Sequence, residues 1–436
     1  MSNRLTGAVG RTPLLKGLPR EVAVLSAVAF CVALGFGILL PALPVFARTF
    51  DVSALQASAV ISVFALARFV TAPVAGTMVD RLGERMILGT GLFIVAGSSL
   101  AAGFSQSYLQ LLVFRGVGGL GSSMFSVSAL ALLLRVVENA QRGRASSAFQ
   151  GGFLLGGVAG PAVGGLVVAW SIRAPFFVYA ATLIVAGIVA LVFLANSRLH
   201  EREELVSGGE AGKLETLRLA LKDGAYRAAL VVNLITGFLI LGLRSSVVPL
   251  FVTEGMQKGA SLTGIGFLVA AGFQAVLLLP AGRLSDTAGR RKAMLYGTIG
   301  TTIGMIALTA TDIAVNGWGT TAVAGTALFL LAMAIQGAAS AFLGSAPTAV
   351  VGDIMGGKRG GIVVATFQMM NDLGVIFGPL VAGLLVDLFD FDWAFAAAAG
   401  LSVIAIIFVW LMPETLNRRG SLPVRPPENP AAKELS

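Results

Sequence analysis

Charge is scarce in this sequence. Asp, Glu, Lys and Arg make up 12% of the 436 residues, about half of the roughly 25% that a soluble domain carries. So little polar surface excludes a water-soluble globule and makes lipid the solvent. Cysteine is nearly absent. The single Cys31 excludes a disulfide within the chain and says nothing of redox compartment. The one histidine, His200, lies in the polar stretch at mid-chain. A histidine proton relay, or a His-based metal or hydrolytic site in the apolar regions, is therefore excluded, and neither metal nor cofactor is expected. Two glycine strings imitate nucleotide motifs and fail on context. GVGGLG (116–121) sits inside an apolar run with no strand before it, and GDIMGGKR (352–359) has Arg359 where a phosphate loop needs Ser or Thr. No cluster of nucleophile and base suggests an enzyme.

Apolar residues, by contrast, make up 56% of the chain. They fall into twelve runs long enough to span a bilayer as helices: 21–46, 55–78, 86–106, 108–134, 145–169, 175–195, 228–252, 260–282, 292–312, 320–351, 362–386 and 393–412. This predicts an all-α integral membrane protein of two pseudo-symmetric six-helix bundles. Residues 1–20 form a cytoplasmic tail, 21–195 the first bundle, 196–227 a linker, 228–412 the second bundle and 413–436 a second cytoplasmic tail. No short apolar region with a small-residue cleavage site precedes the first run, so no removable signal peptide is expected. LETLRLAL (214–221) in the linker reads as a short amphipathic helix or as solvated chain.

The net charge of +9 could suggest nucleic acid, but its distribution reports topology. Arg48, Arg173 and Lys258 fall on one side of the runs, Arg68, Arg115 and Arg244 within them, and all other Lys and Arg on the other side. That is the positive-inside asymmetry, and it puts both termini in the cytoplasm. Trp170, Trp318, Trp393 and Trp410 all fall at run ends, where an interfacial aromatic belt belongs.

The two halves repeat each other. GTMVDRLGER (76–85) matches GRLSDTAGRR (282–291), and FQGGFLLGGVAGPAVGGL (149–166) matches FQMMNDLGVIFGPLVAGL (367–384). Duplication of six spans implies two related bundles with a substrate site between them near the midplane. Gly156, Gly160 and Gly164, and likewise Gly374, Gly378 and Ala382, share one helix face. Close backbone approach through small residues drives helix contact in lipid. Pro161 and Pro379 free a carbonyl, which must meet protein or water. These faces are expected to pack against protein, either as static contacts or as a smooth surface on which one bundle rocks against the other.

These strings resemble the major facilitator superfamily over nearly the whole chain. GTMVDRLGER is similar to its 2–3 loop signature G-x-x-x-D-[RK]-x-G-[RK]-[RK] through Gly76, Asp80, Arg81, Gly83 and Arg85, with Glu84 replacing a usual base. Gly282, Asp286, Gly289 and Arg290 repeat it. Three further strings resemble the twelve-span drug:proton antiporter branch: LGFGILLPALP (34–44), LLVFRGVGGLGSS (111–123) and GGVAGPAVGG (156–165). The resemblance implies export, a coupling role for Arg115, and a latch. In that latch Asp80 docks on the start of the eleventh span near Gly360 and Gly361, and Asp286 on the start of the fifth near Gly143. A carboxylate there meets free N–H groups and the positive end of a helix dipole.

Ionisable groups inside a span are functional candidates. Asp372 reads as the only carboxylate well inside one. By residue count from the inner face, Arg68 and Asp372 both rise roughly 17–18 Å, which predicts a pair across the bundles. Arg115 cannot itself deprotonate, so it tunes a carboxylate or holds an anion. Arg244, nearer the outer end, either contacts substrate or snorkels to the interface. Three embedded arginines against one aspartate would repel a lipophilic cation. The substrate is therefore expected to be a neutral or anionic amphipathic small molecule. By position its contacts are drawn from Phe36, Arg115, Ser122, Phe125, Ser126, Gln150, Asn233, Phe238, Arg244, Gln336, Ser340 and Gln368. The expected activity is proton-coupled efflux by a monomer in the plasma membrane. A proton-coupled importer or a facilitator is the alternative, and a non-transporting receptor has no supporting feature.

Overall fold

A computed structural model describes residues 18–137, 142–194, 210–318, 321–355 and 361–416. His200 and the tail from residue 417 lie outside them. Twelve long helices account for most of the described chain: α1 Arg20–Arg48, α2 Ala54–Leu82, α3 Glu84–Gly103, α4 Tyr108–Val136, α5 Arg142–Trp170, α6 Ala174–Phe193, α7 Gly224–Gly255, α8 Ala260–Ala288, α9 Arg290–Gly317, α10 Ala322–Met355, α11 Gly361–Leu388 and α12 Phe391–Leu411. Local chemistry sets their starts. Ser53 and Gln56 form a capping box at α2, and Ser107, Asp223 and Asp390 cap α4, α7 and α12.

Helix packing repeats itself. In the first bundle α1 packs on α5 and α6, α2 on α4, and α3 on α4 and α6. In the second, α7 packs on α11 and α12, α8 on α10, and α9 on α10 and α12. The six-helix arrangement is therefore built twice. The bundles meet through α2 against α11 and α5 against α8. Leu and Ile side chains cover the outside, and Trp170, Trp318, Trp393 and Trp410 are exposed at helix ends. The amphipathic helix suspected in the linker is present as Glu210–Lys222 and touches α7 and α11.

Two elements differ from the periodicity. α7 carries π-helical turns at Gly237–Leu243 and Phe251–Gly255, which a 3.6-residue repeat does not announce. α9 runs past residue 312 through a π-turn at Ile313–Gly317, shortening the expected outer loop. Asp312 is thereby enclosed, 4% exposed and accepting from the Asn316 amide at 2.6 Å. Asp372 is thus not the only carboxylate inside a helix.

Candidate functional site: the cleft between the bundles

The face opposite the chain termini is closed. Arg48 at the end of α1 makes two 2.6 Å bonds to Glu254 at the end of α7, a bidentate pair across the bundles. Asp387, at the end of α11, accepts from the backbone N–H groups of Ala54 and Leu55 at 2.8 Å each. It caps the first turn of α2, where free donors and the helix dipole favour a carboxylate. Behind these groups the backbones touch. Gly165 on α5 packs against Gly264 on α8, and a Cβ on Gly383 of α11 would lie 2.7 Å from the Ala54 carbonyl oxygen. Gly165 and Gly383 are equivalent in the repeat, 218 positions apart.

At mid-depth Arg68 of α2 donates to Asp372 of α11, so the expected pair is present. Nearer the terminal face the bundles part. Val70 and Val74 on α2, Val364 and Gln368 on α11, Leu155 on α5 and Val276 and Leu279 on α8 are exposed. Gly76, Gly151, Gly272 and Gly282 have nothing within 4 Å of an added Cβ. The closed face and the open one together define a cleft that enters from the terminal side and ends near the ion pair.

Around the pair the walls are aromatic. Arg115 on α4 is 2% exposed, and its guanidinium lies 4.3 Å from the Phe64 ring centroid, a cation–π contact. Phe64 stacks on Phe36 at 5.8 Å, and Phe36 meets Tyr179 at 6.1 Å. Phe64 and Tyr179 were not among the sequence candidates. Only the folded helices bring them to Arg115. Gln150, Gln368 and Ser126 are exposed and Phe36, Phe238 and Ser122 half-buried, so these candidates keep a free face.

Several candidates do not face the cleft. Gln336 is fully buried, its amide reaches the Thr301 carbonyl, and Gly304 packs on it; it belongs to the α9–α10 contact. Ser340 is spent on the Gln336 carbonyl of its own helix. Phe125 is 3% exposed, held against Phe153 and Gly91. Asn233 is half-buried and clasps α11 through the Phe367 carbonyl at 2.6 Å. Arg244 does not snorkel. Its Nε and Nη1 are enclosed, and it lies 5.9 Å from the Phe267 ring on α8.

The glycine faces are corrected in direction. A Cβ on Gly160 would lie 2.6 Å from the Leu34 carbonyl oxygen, and one on Gly164 2.7 Å from that of Ile38, so this face, with Gly156, packs on α1. Gly374 and Gly378 pack likewise on α7 at Leu234 and Phe238, and Pro379 lies beside Gly242. Pro161 lies beside Gly37. These seams lie within each bundle. The contacts between bundles fall one position on, at Gly165 and Gly383.

The loop signatures form charged corners at the terminal face. Glu84, the residue that departs from the signature, is 2% exposed and pairs with Arg135 at the end of α4 at 3.0 Å. In the second half Arg290 stands at its place and pairs with Asp353 at the end of α10 at 3.1 Å. Arg135 and Asp353 are again 218 apart. The same corner is thus built with its charges exchanged, because attraction does not depend on which helix carries which sign. Arg290 also holds Asp286, so Asp286 is engaged within its own corner rather than docked on α5. The Asp80 side chain and Gly360 lie outside the described residues, as do the side-chain surroundings of Gly143 and Gly361. Arg81 is exposed, Arg85 donates to the Leu191 carbonyl, and Gly83 and Gly289 have φ of 85° and 113°, which only glycine adopts readily.

Glu414 completes the second corner. It accepts from the backbone N–H groups of Arg290 at 2.9 Å and Arg291 at 3.2 Å, and from those of Thr415 and Leu416. Partial burial pushes its carboxyl pKa up, but the four N–H donors outweigh it, and the net shift is downward.

Two duplicated bundles around a cleft closed at one end, with charges buried between them, define a membrane transporter. Residues 25–273 and 234–435 match the family model of the Major Facilitator Superfamily, and the chain belongs to that family. It is 25% identical over 388 residues to Multidrug resistance protein 2 of Bacillus subtilis (strain 168), covering 87% of this chain and 92% of that one. To the quinolone resistance protein NorA of Staphylococcus aureus it is 26% identical over 183 residues, 41% of this chain and 46% of that one. Its fold is similar to a crystal structure of a bacterial homologue of the human lysosomal transporter Spinster, inward-facing and unoccupied. The TM-score is 0.71 at 16% identity, over 90% of this chain and 96% of that one. The human organic anion transporter MFSD10 shares the fold with a TM-score of 0.64 at 20% identity, over 90% of this chain and all of that one.

Proposed function

We propose that this protein is a proton-coupled efflux antiporter of neutral or anionic amphipathic small molecules. It works by alternating access in the plasma membrane, with its termini cytoplasmic and the described state open to the cytoplasm. The carrying observation is the Arg68–Asp372 pair, which joins the bundles at mid-depth. Its carboxylate has two competing partners, the guanidinium and a proton. Protonation cancels the attraction between α2 and α11, and separation of the bundles returns Asp372 to solvent for the next exchange. Arg115 adds positive potential without itself titrating. Its guanidinium and Phe64 form the wall behind the pair. The similarity to multidrug resistance proteins supports export of drug-like molecules.

The test is transport in proteoliposomes under an imposed pH gradient, read for the wild type and Asp372→Asn. The wild type is expected to move probe against the direction of proton flow, and Asp372→Asn to lose the gradient response. Probe moving with the protons would establish an importer, and flux indifferent to the gradient a facilitator. Proton-driven exchange persisting in Asp372→Asn would remove Asp372 from the coupling path.

A further inference from the structure

Of the three guanidinium groups buried inside the helices, only one is neutralised. Arg68 has Asp372. Arg115 is sealed under Phe64, 2% exposed. Arg244 is different. Its Nε and Nη1 are enclosed and make no hydrogen bond, while its third nitrogen is neither enclosed nor bonded among the described residues. No acid among those residues pairs with it. The Phe267 ring at 5.9 Å is at the limit of a useful cation–π contact. An enclosed charge without a counter-ion costs several kcal/mol, and nothing in the chain offsets this one.

The placement is specific. Arg244 follows directly on the π-turn Gly237–Leu243. Such a turn resets the register of every residue after it and is frequent at functional sites. The segment Arg244–Leu250 touches the closed ends of α1 and α2, so Arg244 lies toward the closed end of the cleft. Phe267 is 6% exposed, while Ile265 and Leu268 beside it on α8 are about half exposed. The aromatic face is therefore turned to the protein interior.

We infer that Arg244 and Phe267 form an anion-binding subsite for the carboxylate or sulfonate head of an amphipathic substrate. The planar guanidinium presents parallel N–H groups to such a head, and Phe267 supplies an apolar wall for the attached ring. The inference rests on the transport reading and deepens it, since it names the charge of the substrate.

The experiment uses 1-naphthalenesulfonate, charged at every working pH, and the neutral 1-naphthalenesulfonamide of nearly the same shape. Calorimetric titration of the full chain in lipid nanodiscs gives the ratio of their affinities. The wild type is expected to prefer the sulfonate by about tenfold or more, as loss of a charged hydrogen bond implies. Arg244→Gln should bring the ratio near one, and Arg244→Lys should restore part of it. A ratio is unaffected by the fraction of protein that folds. A wild type without preference, or Arg244→Gln that keeps it, overturns the subsite. Proteoliposome flux separates this from the transport reading. Sulfonate bound through Arg244 but never moved leaves the subsite standing and refutes transport of that class. A neutral probe pumped without any sulfonate preference does the reverse.

Discussion

Each buried carboxylate here is defined by what donates to it. Asp372 has a guanidinium from the other bundle, Asp387 two backbone N–H groups, and Glu414 four. Glu414 lies outside the spans, and its consequence follows from sign alone. Its pKa is lowered in the folded state, so the cap on α9 contributes fully above the ordinary carboxylate value and is lost as pH falls through the lowered one. Hydrogen exchange at Arg290 and Arg291 is expected to speed up on acidification toward pH 4 in the wild type. Glu414→Gln should exchange fast at pH 7 and show little pH response. Gly289 beside it has φ of 113°, and an added Cβ would strike the Glu414 carboxylate. Both facts require glycine there.

At the scale of the helix pair, the duplicated glycine strings serve two different contacts. Gly160 and Gly378 sit in seams inside a bundle, which stay packed while the bundles move as units. Gly165 and Gly383 sit between bundles, where contact exists only while this end is closed. The distinction is testable. Gly160→Val overpacks a permanent seam and is expected to cost about 1–3 kcal/mol of stability, seen as a lower unfolding temperature. Gly383→Val should penalise only the state closed at this face. Its stability should hold while a thiol probe at residue 52 or 256 becomes more reactive. Equal loss of stability in both variants would mean that the two contacts do not differ.

At the scale of the molecule, the closed face is held by few groups. Arg48 and Glu254 are each about one-third exposed, and such a pair contributes only about 0–1 kcal/mol. Combined Arg48→Ala and Asp387→Asn is expected to shift the population toward a state open at this face by roughly fivefold or more. Electron-spin distance measurements between the ends of α1 and α7 would read that shift, and an unchanged distance distribution would assign the closure to backbone packing alone. A weak closure suits a transporter, because the two states must lie within a few kcal/mol for either to be reached.

Twelve spans, their duplication and the charge asymmetry were legible in the residues, because lipid forces each crossing to be long, apolar and internally hydrogen-bonded. The depth of Arg68 and Asp372 was legible too, since rise per residue is fixed. Direction was not. Gly164 and Gly165 are adjacent in sequence, yet one faces α1 and the other α8. Gln336 and Gln368 look alike, yet one is sealed and the other open. The π-turns of α7 and α9 rotate whatever follows them, and Arg244 and Asp312 face inward as a result. A helix's own repeat fixes which residues share a face. Only its neighbours decide what that face meets.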